Sequence, residues 1–261
     1  MQYILPIIIF IVLGVVSGVL LTVVSKVFEV KVDTRVEKIS EALPQINCGA
    51  CGFSGCNDYA NAIVEHGEKM NLCKPGGEAA AKAIGEAMGV SVEVPEKLLA
   101  FVRCSGKCSQ TPNKYEYVGI HTCEAANLFY NGSKICTSGC LGYGDCQLKC
   151  PVGAICIEDG LAIVNTAVCI GCGACAEACP NHLIDLKPAD TKIFVACKST
   201  AIGKVTRKVC SAGCIGCKIC EKKCPSGAIK VENNYATIDQ HICTACGECE
   251  ENCPTGAIRM L

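Results

Sequence analysis

Residues 214–225 read Cys-Ile-Gly-Cys-Lys-Ile-Cys-Glu-Lys-Lys-Cys-Pro, and residues 243–254 read Cys-Thr-Ala-Cys-Gly-Glu-Cys-Glu-Glu-Asn-Cys-Pro. Each run puts three thiols on one tight loop and a fourth just ahead of a proline. Such spacing suits a cluster of several irons, which takes three ligands from one turn and a fourth from elsewhere. Zinc usually takes its four ligands as two pairs, so a third closely spaced cysteine has no purpose there. The chain holds 26 cysteines in 261 residues, a density otherwise found in small secreted disulfide scaffolds. Repeated tight runs argue against that reading, because they would strain a disulfide ladder.

The pattern extends outward as a repeat. Cys136, Cys140, Cys146, Cys150, Cys169, Cys172, Cys175 and Cys179 each have a counterpart 74 residues on, at Cys210, Cys214, Cys220, Cys224, Cys243, Cys246, Cys249 and Cys253. Eight matches at one offset mark a tandem duplication. Each copy is itself two-fold, and three of the four Cys-Pro pairs lead into Gly-Ala-Ile, at 153–155, 227–229 and 256–258. The second copy resembles the bacterial two-cluster ferredoxin, in which the cysteine before proline ligates the other cluster. That resemblance implies one [4Fe–4S] set of Cys214, Cys217, Cys220 and Cys253, and another of Cys243, Cys246, Cys249 and Cys224. In the first copy Cys169, Cys172 and Cys175 are regular, with Cys150 as the crossing ligand. The other site departs from the pattern, since Tyr143 stands where the second copy has Cys217. Cys136 is the nearest replacement, so the expected set is Cys136, Cys140, Cys146 and Cys179.

A separate motif lies upstream: Cys48-Gly-Ala-Cys51-Gly-Phe-Ser-Gly-Cys56, then Cys73-Lys-Pro-Gly-Gly. Four cysteines among glycines suit a single cluster, because glycine lets backbone amides approach the sulfides. A zinc site is the competing reading. Twenty cysteines are then placed. Of the rest, Cys104, Cys108 and Cys123 are candidates for part of a sixth cluster, with Cys136 or a later cysteine completing it. Inert buried thiols are the alternative, and the expected state of Cys156. Phe101-Val-Arg-Cys104 also matches Phe194-Val-Ala-Cys197 at an offset of 93. This competes with the 74-residue pairing of Cys123 and Cys197 and is preferred because it matches more than cysteine. The roles of Cys197 and Cys210 stay open at this point.

The N-terminus has a different character. From Gln2 to Ser25 there is no charge, and Ile4 to Val24 is almost wholly apolar. About 21 residues at ~1.5 Å each reach roughly 32 Å, enough for a bilayer's hydrocarbon core. Gly14 and Gly18 form one weak GxxxG. A cleaved signal peptide fits poorly, since no Lys or Arg precedes the run. Lys26, Lys31, Arg35 and Lys38 follow it, so the positive-inside rule puts the rest of the chain on the cytoplasmic side of the inner membrane, where thiols stay reduced.

The expected fold is α+β: a single N-terminal transmembrane helix (1–26), a charged linker (27–45), a small helical 4Fe-4S domain (46–90) with a helix over Gly77 to Met88, a connector (91–135), and two tandem ferredoxin-like two-cluster units (136–190 and 191–261). The connector carries two β-like stretches, Leu98 to Arg103 and Lys114 to Ile120. A formal net charge of −1 offers no field for nucleic acid. His66, His121, His182 and His241 lack metal-ligand spacing, and Glu221-Lys222-Lys223 reads as solvated surface. Glu248, Glu250 and Glu251 beside a cluster loop are at most a docking feature. No G-x-G-x-x-G after a strand, P-loop or nucleophile–base set is present, so no flavin or NAD site and no bond-making chemistry is expected on this chain.

One apolar helix, the Cys48–Cys73 motif with its Cys-x-Pro-Gly-Gly tail, and then ferredoxin repeats: this order resembles the B subunit of the Rnf complex, the ion-pumping ferredoxin:NAD+ oxidoreductase of bacteria. The resemblance covers essentially the whole chain, and Gly139-Cys140-Leu-Gly-Tyr-Gly-Asp-Cys146 is similar to the longer, clostridial-type versions. It implies about five [4Fe–4S] clusters, or six, which take electrons from soluble reduced ferredoxin. Those electrons feed flavin-bearing membrane partners that reduce NAD+ while Na+ or H+ is exported. Chain order makes the Cys48–Cys73 cluster the exit and the C-terminal clusters the input. The alternatives are a membrane-tethered polyferredoxin of another redox complex, a structural zinc protein, and a corrinoid-type redox role for the N-terminal unit.

Overall fold

The computed structural model describes residues 4–27, 33–94 and 96–260, with the side chains of residues 4–7, 9 and 27 outside the description. The first helix, α1 (Ile4–Val27), spans 24 residues. Its few polar groups are satisfied internally: Ser17 Oγ donates to the Leu13 carbonyl at 2.8 Å and Thr22 Oγ1 to that of Gly18 at 2.7 Å. Every described side chain of α1 is exposed. Among the described residues no helix is long and apolar enough to cross a membrane. The expected span Ile4–Val24 falls partly on residues whose side chains lie outside the description.

Three helices build the next unit. Helix α2 (Thr34–Ala42) is capped by Asp33, whose side chain accepts from the Arg35 amide. Helices α3 (Cys56–His66) and α4 (Gly77–Met88) both end at left-handed glycines, Gly67 and Gly89, a stop that spares the chain a Cβ clash. Val36, Ile39 and Leu43 are buried with Tyr59, Ile63, Ala80 and Ile84 in one core. This corrects the expectation of a charged linker over 27–45. Residues 34–43 carry apolar groups three and four apart, so they form an amphipathic helix that closes the small domain. Its polar anchor is Tyr59, whose hydroxyl donates to the Lys69 carbonyl at 2.6 Å and accepts from the Leu72 amide at 3.1 Å.

The remainder is a duplicated pair of small α+β units. The first contains β1 (Leu98–Val102), α5 (Cys123–Asn127), α6 (Asp145–Leu148), β2 (Ile155–Glu158), β3 (Leu161–Val164), α7 (Ala174–Glu177) and β4 (Ile184–Pro188). The second contains β5 (Ile193–Val195), α8 (Gly203–Val209), α9 (Ile219–Lys223), β6 (Ile229–Glu232), β7 (Tyr235–Ile238), α10 (Glu248–Glu251) and β8 (Ile258–Met260). In each, the outer strands pair antiparallel (β1 with β4, β5 with β8) and the inner two form a hairpin (β2 with β3, β6 with β7). The connector's first β-like stretch is thus an integral strand of unit 1. The second, Lys114 to Ile120, is not a strand. An isolated bridge joins Asn113, just ahead of it, to Lys134. Tyr117 packs instead on Phe129 and Tyr143, with ring centroids 6.0 and 5.7 Å apart.

Strand register fixes how the copies correspond. Val102 faces Ile184, and Val195 faces Ile258. Ile184 and Ile258 are 74 apart, whereas Val102 and Val195 are 93 apart. Unit 1 therefore carries a 19-residue insertion between its first strand and Cys136. Phe101 meets its equivalent Phe194 at 5.3 Å, and Leu99 and Ala196 complete the small core that joins the units. Arg103 reinforces the joint, pairing with Asp185 at 3.3 Å, donating to the Cys197 carbonyl at 3.4 Å and lying 5.1 Å over the Tyr235 ring.

Candidate metal centres

The cysteine loops share one local design. In unit 1 and at the end of unit 2 a left-handed glycine (Gly144, Gly173, Gly247) precedes the short helix that carries the third cysteine of the run. The turn folds the loop back so that its thiols converge. Each Cys-Pro cysteine enters a second turn whose amides point at its sulfur: Ala154 donates to Cys150 Sγ at 3.2 Å and Leu183 to Cys179 Sγ at 3.4 Å. The Gly of Gly-Ala-Ile supplies the positive φ this turn needs, and His182 takes that role in the fourth copy at φ 49°. For Cys224 and Cys253 the result is a thiol held below its usual range. Burial opposes this, but the Ser226 or Thr255 hydroxyl and the following amides outweigh it. Hydrogen bonds to a thiolate favour its charged form.

The side chains gather in fours. Cys150, Cys169, Cys172 and Cys175 line one cavity of unit 1. Cys123, Cys140, Cys146 and Cys179 line a second. In unit 2, Cys220 lies within electrostatic reach of Cys214, Cys217 and Cys253, and Cys249 of Cys243, Cys224 and Cys246. In the helical domain Cys73 is similarly surrounded by Cys56, Cys51 and Cys48. A further cavity lies between the units and is lined by Cys104, Cys136, Cys197 and Cys210.

Three expectations change. Cys136 does not join Cys140, Cys146 and Cys179. The insertion of unit 1 delivers Cys123 to that place, where Asp145 Oδ1 and Oδ2 accept from the amides of Cys123 and Glu124 at 2.9 and 3.0 Å and seat the start of α5. Nor do Cys104, Cys108 and Cys123 act together. Cys104 faces the inter-unit cavity and Cys123 the unit 1 cavity, while Cys108 is exposed, its amide bonded to the Asp159 carbonyl at 2.9 Å. Cys156 is exposed on β2 rather than buried. The inter-unit four are hidden in the sequence because the cysteines come two from each copy. The offset-93 match of Cys104 with Cys197 and the offset-74 match of Cys136 with Cys210 were the available signal.

The residues fit iron–sulfur clusters. Burial pushes the Cys104 and Cys146 thiols up to about 12 and those of Cys175, Cys220 and Cys249 to about 11. Buried sulfurs of this kind ionise when a metal cation lies beside them. Ser105 Oγ and Thr111 Oγ1, both on the inter-unit cavity, are buried without a hydrogen-bond partner, as hydroxyls waiting for an acceptor would be. Zinc, with Zn–S bonds of ~2.3 Å, draws its ligands tightly together. Among the described residues no three Cys, His, Asp or Glu side chains are arranged to hold a single ion.

The groups also stand in series. Cys48 lies within electrostatic reach of Cys172, and Cys175 of Cys146. The Cys140 amide donates to Cys104 Sγ at 3.4 Å, and Cys197 lies within electrostatic reach of Cys214.

Comparison with known proteins agrees with this chemistry. An Fe-S cluster family model matches residues 43–75, and a 4Fe-4S dicluster domain model matches 168–228 and 213–257. The B subunit of the proton-translocating ferredoxin:NAD(+) oxidoreductase complex of Clostridium ljungdahlii is 43% identical over 89% of this chain and 82% of its own length. Its counterpart in the Na(+)-translocating complex of Acetobacterium woodii is 44% identical over 89% of this chain and 70% of its own. For the B subunit of the ion-translocating oxidoreductase complex of Methanosarcina acetivorans the identity is 44%, over 89% and 88%. With cysteine centres of the iron–sulfur kind and relatives matched over most of their length, the chain belongs to the B-subunit family of ion-translocating ferredoxin:NAD+ oxidoreductase (Rnf) complexes.

Proposed function

We propose that this chain is a membrane-anchored relay of six [4Fe–4S] centres that takes electrons from reduced ferredoxin and delivers them to the NAD+-reducing partners of its complex. Iron–sulfur clusters, when bound, supply one-electron chemistry at low potential. The chain's own residues do the rest. The ligand sets are Cys48, Cys51, Cys56 and Cys73; Cys150, Cys169, Cys172 and Cys175; Cys123, Cys140, Cys146 and Cys179; Cys104, Cys136, Cys197 and Cys210; Cys214, Cys217, Cys220 and Cys253; and Cys224, Cys243, Cys246 and Cys249. The observation that carries the reading is their serial placement, from the C-terminal unit through the inter-unit cavity to the helical domain.

The anchor is α1. Its 24 helical residues extend roughly 36 Å at ~1.5 Å each, and its exposed apolar side chains, Phe10 and Leu21 among them, call for a lipid surrounding. With the basic residues on its C-terminal flank, the cluster units sit on the cytoplasmic face of the inner membrane. The helical domain then lies beside the bilayer as the electron exit, and unit 2 is the input.

The test is a count of iron, zinc and acid-labile sulfide on anaerobically purified chain. Six centres require about 24 iron and 24 sulfide. About 20 of each would remove the inter-unit centre from the proposal. Stoichiometric zinc with little sulfide would end the electron-relay reading.

A further inference from the structure

We propose that Lys134, Thr111 and Ser105 make the inter-unit centre more readily reduced than either centre of unit 1. The inference rests on the reading of Cys104, Cys136, Cys197 and Cys210 as ligands of one cluster. The three cavities differ in charge. The inter-unit cavity is lined by Arg103, Lys134 and Lys198, whereas no charged side chain lines the cavity of Cys123, Cys140, Cys146 and Cys179 or that of Cys150, Cys169, Cys172 and Cys175.

Lys134 is the most committed of the three. It is 3% exposed, and its ammonium donates to the carbonyls of Gly106 at 3.1 Å and Gly160 at 2.7 Å. Among the described residues no carboxylate pairs with it. Gly106 itself sits between two ligands, since a Cβ built there would lie 3.5 Å from Cys210 Sγ and 3.6 Å from Cys104 Sγ. A buried, uncompensated positive charge is therefore held one residue's width from two of the four sulfurs. The two orphan hydroxyls add to it: Ser105 Oγ and Thr111 Oγ1 are buried, unpartnered and on the same cavity wall.

Reduction adds one electron, and so one negative charge, to the site. The electron comes from a reduced neighbouring centre, and ultimately from the ferredoxin donor. No bond forms or breaks. Positive charge and hydrogen bonds to the sulfurs stabilise the reduced form, which raises the potential. The step from the inter-unit centre onward into unit 1 would thus run uphill.

The experiment is an EPR-monitored redox titration of the full, cluster-loaded chain, with iron counted for every variant. Lys134→Met is expected to leave iron at the parent level and shift one component to lower potential. At a fixed poise its reduced-to-oxidised ratio should fall roughly tenfold, or ~59 mV for one electron. Thr111→Val keeps the shape and removes a hydroxyl with no protein partner, so it should fold even where Lys134→Met does not, and should shift the same component by less. If Thr111→Val, and Lys134→Met where it retains iron, titrate as the parent does, the proposal is overturned. Cys210→Ala separates the two layers. Loss of about four irons together with that component supports the ligand reading. Unchanged iron would overturn the ligand set, and the tuning with it.

Discussion

Lys218 precedes the third cysteine of its run at φ 61°, a left-handed position that Gly144, Gly173 and Gly247 fill in the other three. A side chain there costs about 1 kcal/mol relative to glycine. Lys218→Gly should therefore hold its loop more firmly, raising the midpoint for thermal loss of iron–sulfur absorbance. A lowered midpoint would show that the lysine makes a contact worth more than the strain. Tyr59 offers the opposite case. Its buried hydroxyl is the partner of both the Lys69 carbonyl and the Leu72 amide, so Tyr59→Phe strands two backbone groups at a cost of about 1–3 kcal/mol. The helical domain should then lose its cluster at lower urea while units 1 and 2 keep theirs. Neither residue stands out in the sequence. A lysine in a C-x-x-C-x-x-C run and a tyrosine in a short helix look ordinary until backbone angle and burial are known.

At the level of elements, the duplication was legible because covalent spacing is kept inside a copy: β2 and β6, β3 and β7, and β4 and β8 all start 74 residues apart. What hid was the insertion. Choosing the cysteine nearest in sequence placed Cys136 in a site that a loop twenty-odd residues upstream serves with Cys123. Chain proximity is a poor guide once a helix such as α5 can be pinned from outside, here by the Asp145 carboxylate. On the proposed ligand sets, the insertion offsets the missing cysteine at Tyr143, the counterpart of Cys217. This has a direct consequence. Cys123→Ala should lower iron by about four per chain, and adding Tyr143→Cys in that background should restore it by rebuilding the regular run. Iron that stays unchanged in the single variant would mean that Cys123 is not a ligand. Helix α2 was hidden for a different reason, since five charged residues in 33–41 masked its apolar positions at Val36, Ile39 and Leu43.

For the whole molecule, the joint between the copies is more than a packing contact. Phe101 on Phe194 and Arg103 across to Cys197 hold two ferredoxin-like units so that each contributes two cysteines to a cavity neither could close alone. On the proposed ligand sets, a single unit would be a local electron carrier, and the joint would make the pair a continuous path with a defined midpoint. Removing one ligand from that midpoint should cut the path while sparing both ends, because the other five sets take no residue from the inter-unit cavity. Cys197→Ser in the assembled complex is expected to lower the iron of this chain by about four and to abolish ferredoxin-driven NAD+ reduction, while the EPR components of unit 2 still respond to reduced ferredoxin. Should NAD+ reduction persist with that iron gone, electrons must join the chain at unit 1, and unit 2 is not the input. Should the unit 2 components also fail to reduce, the joint is needed to form the input surface itself.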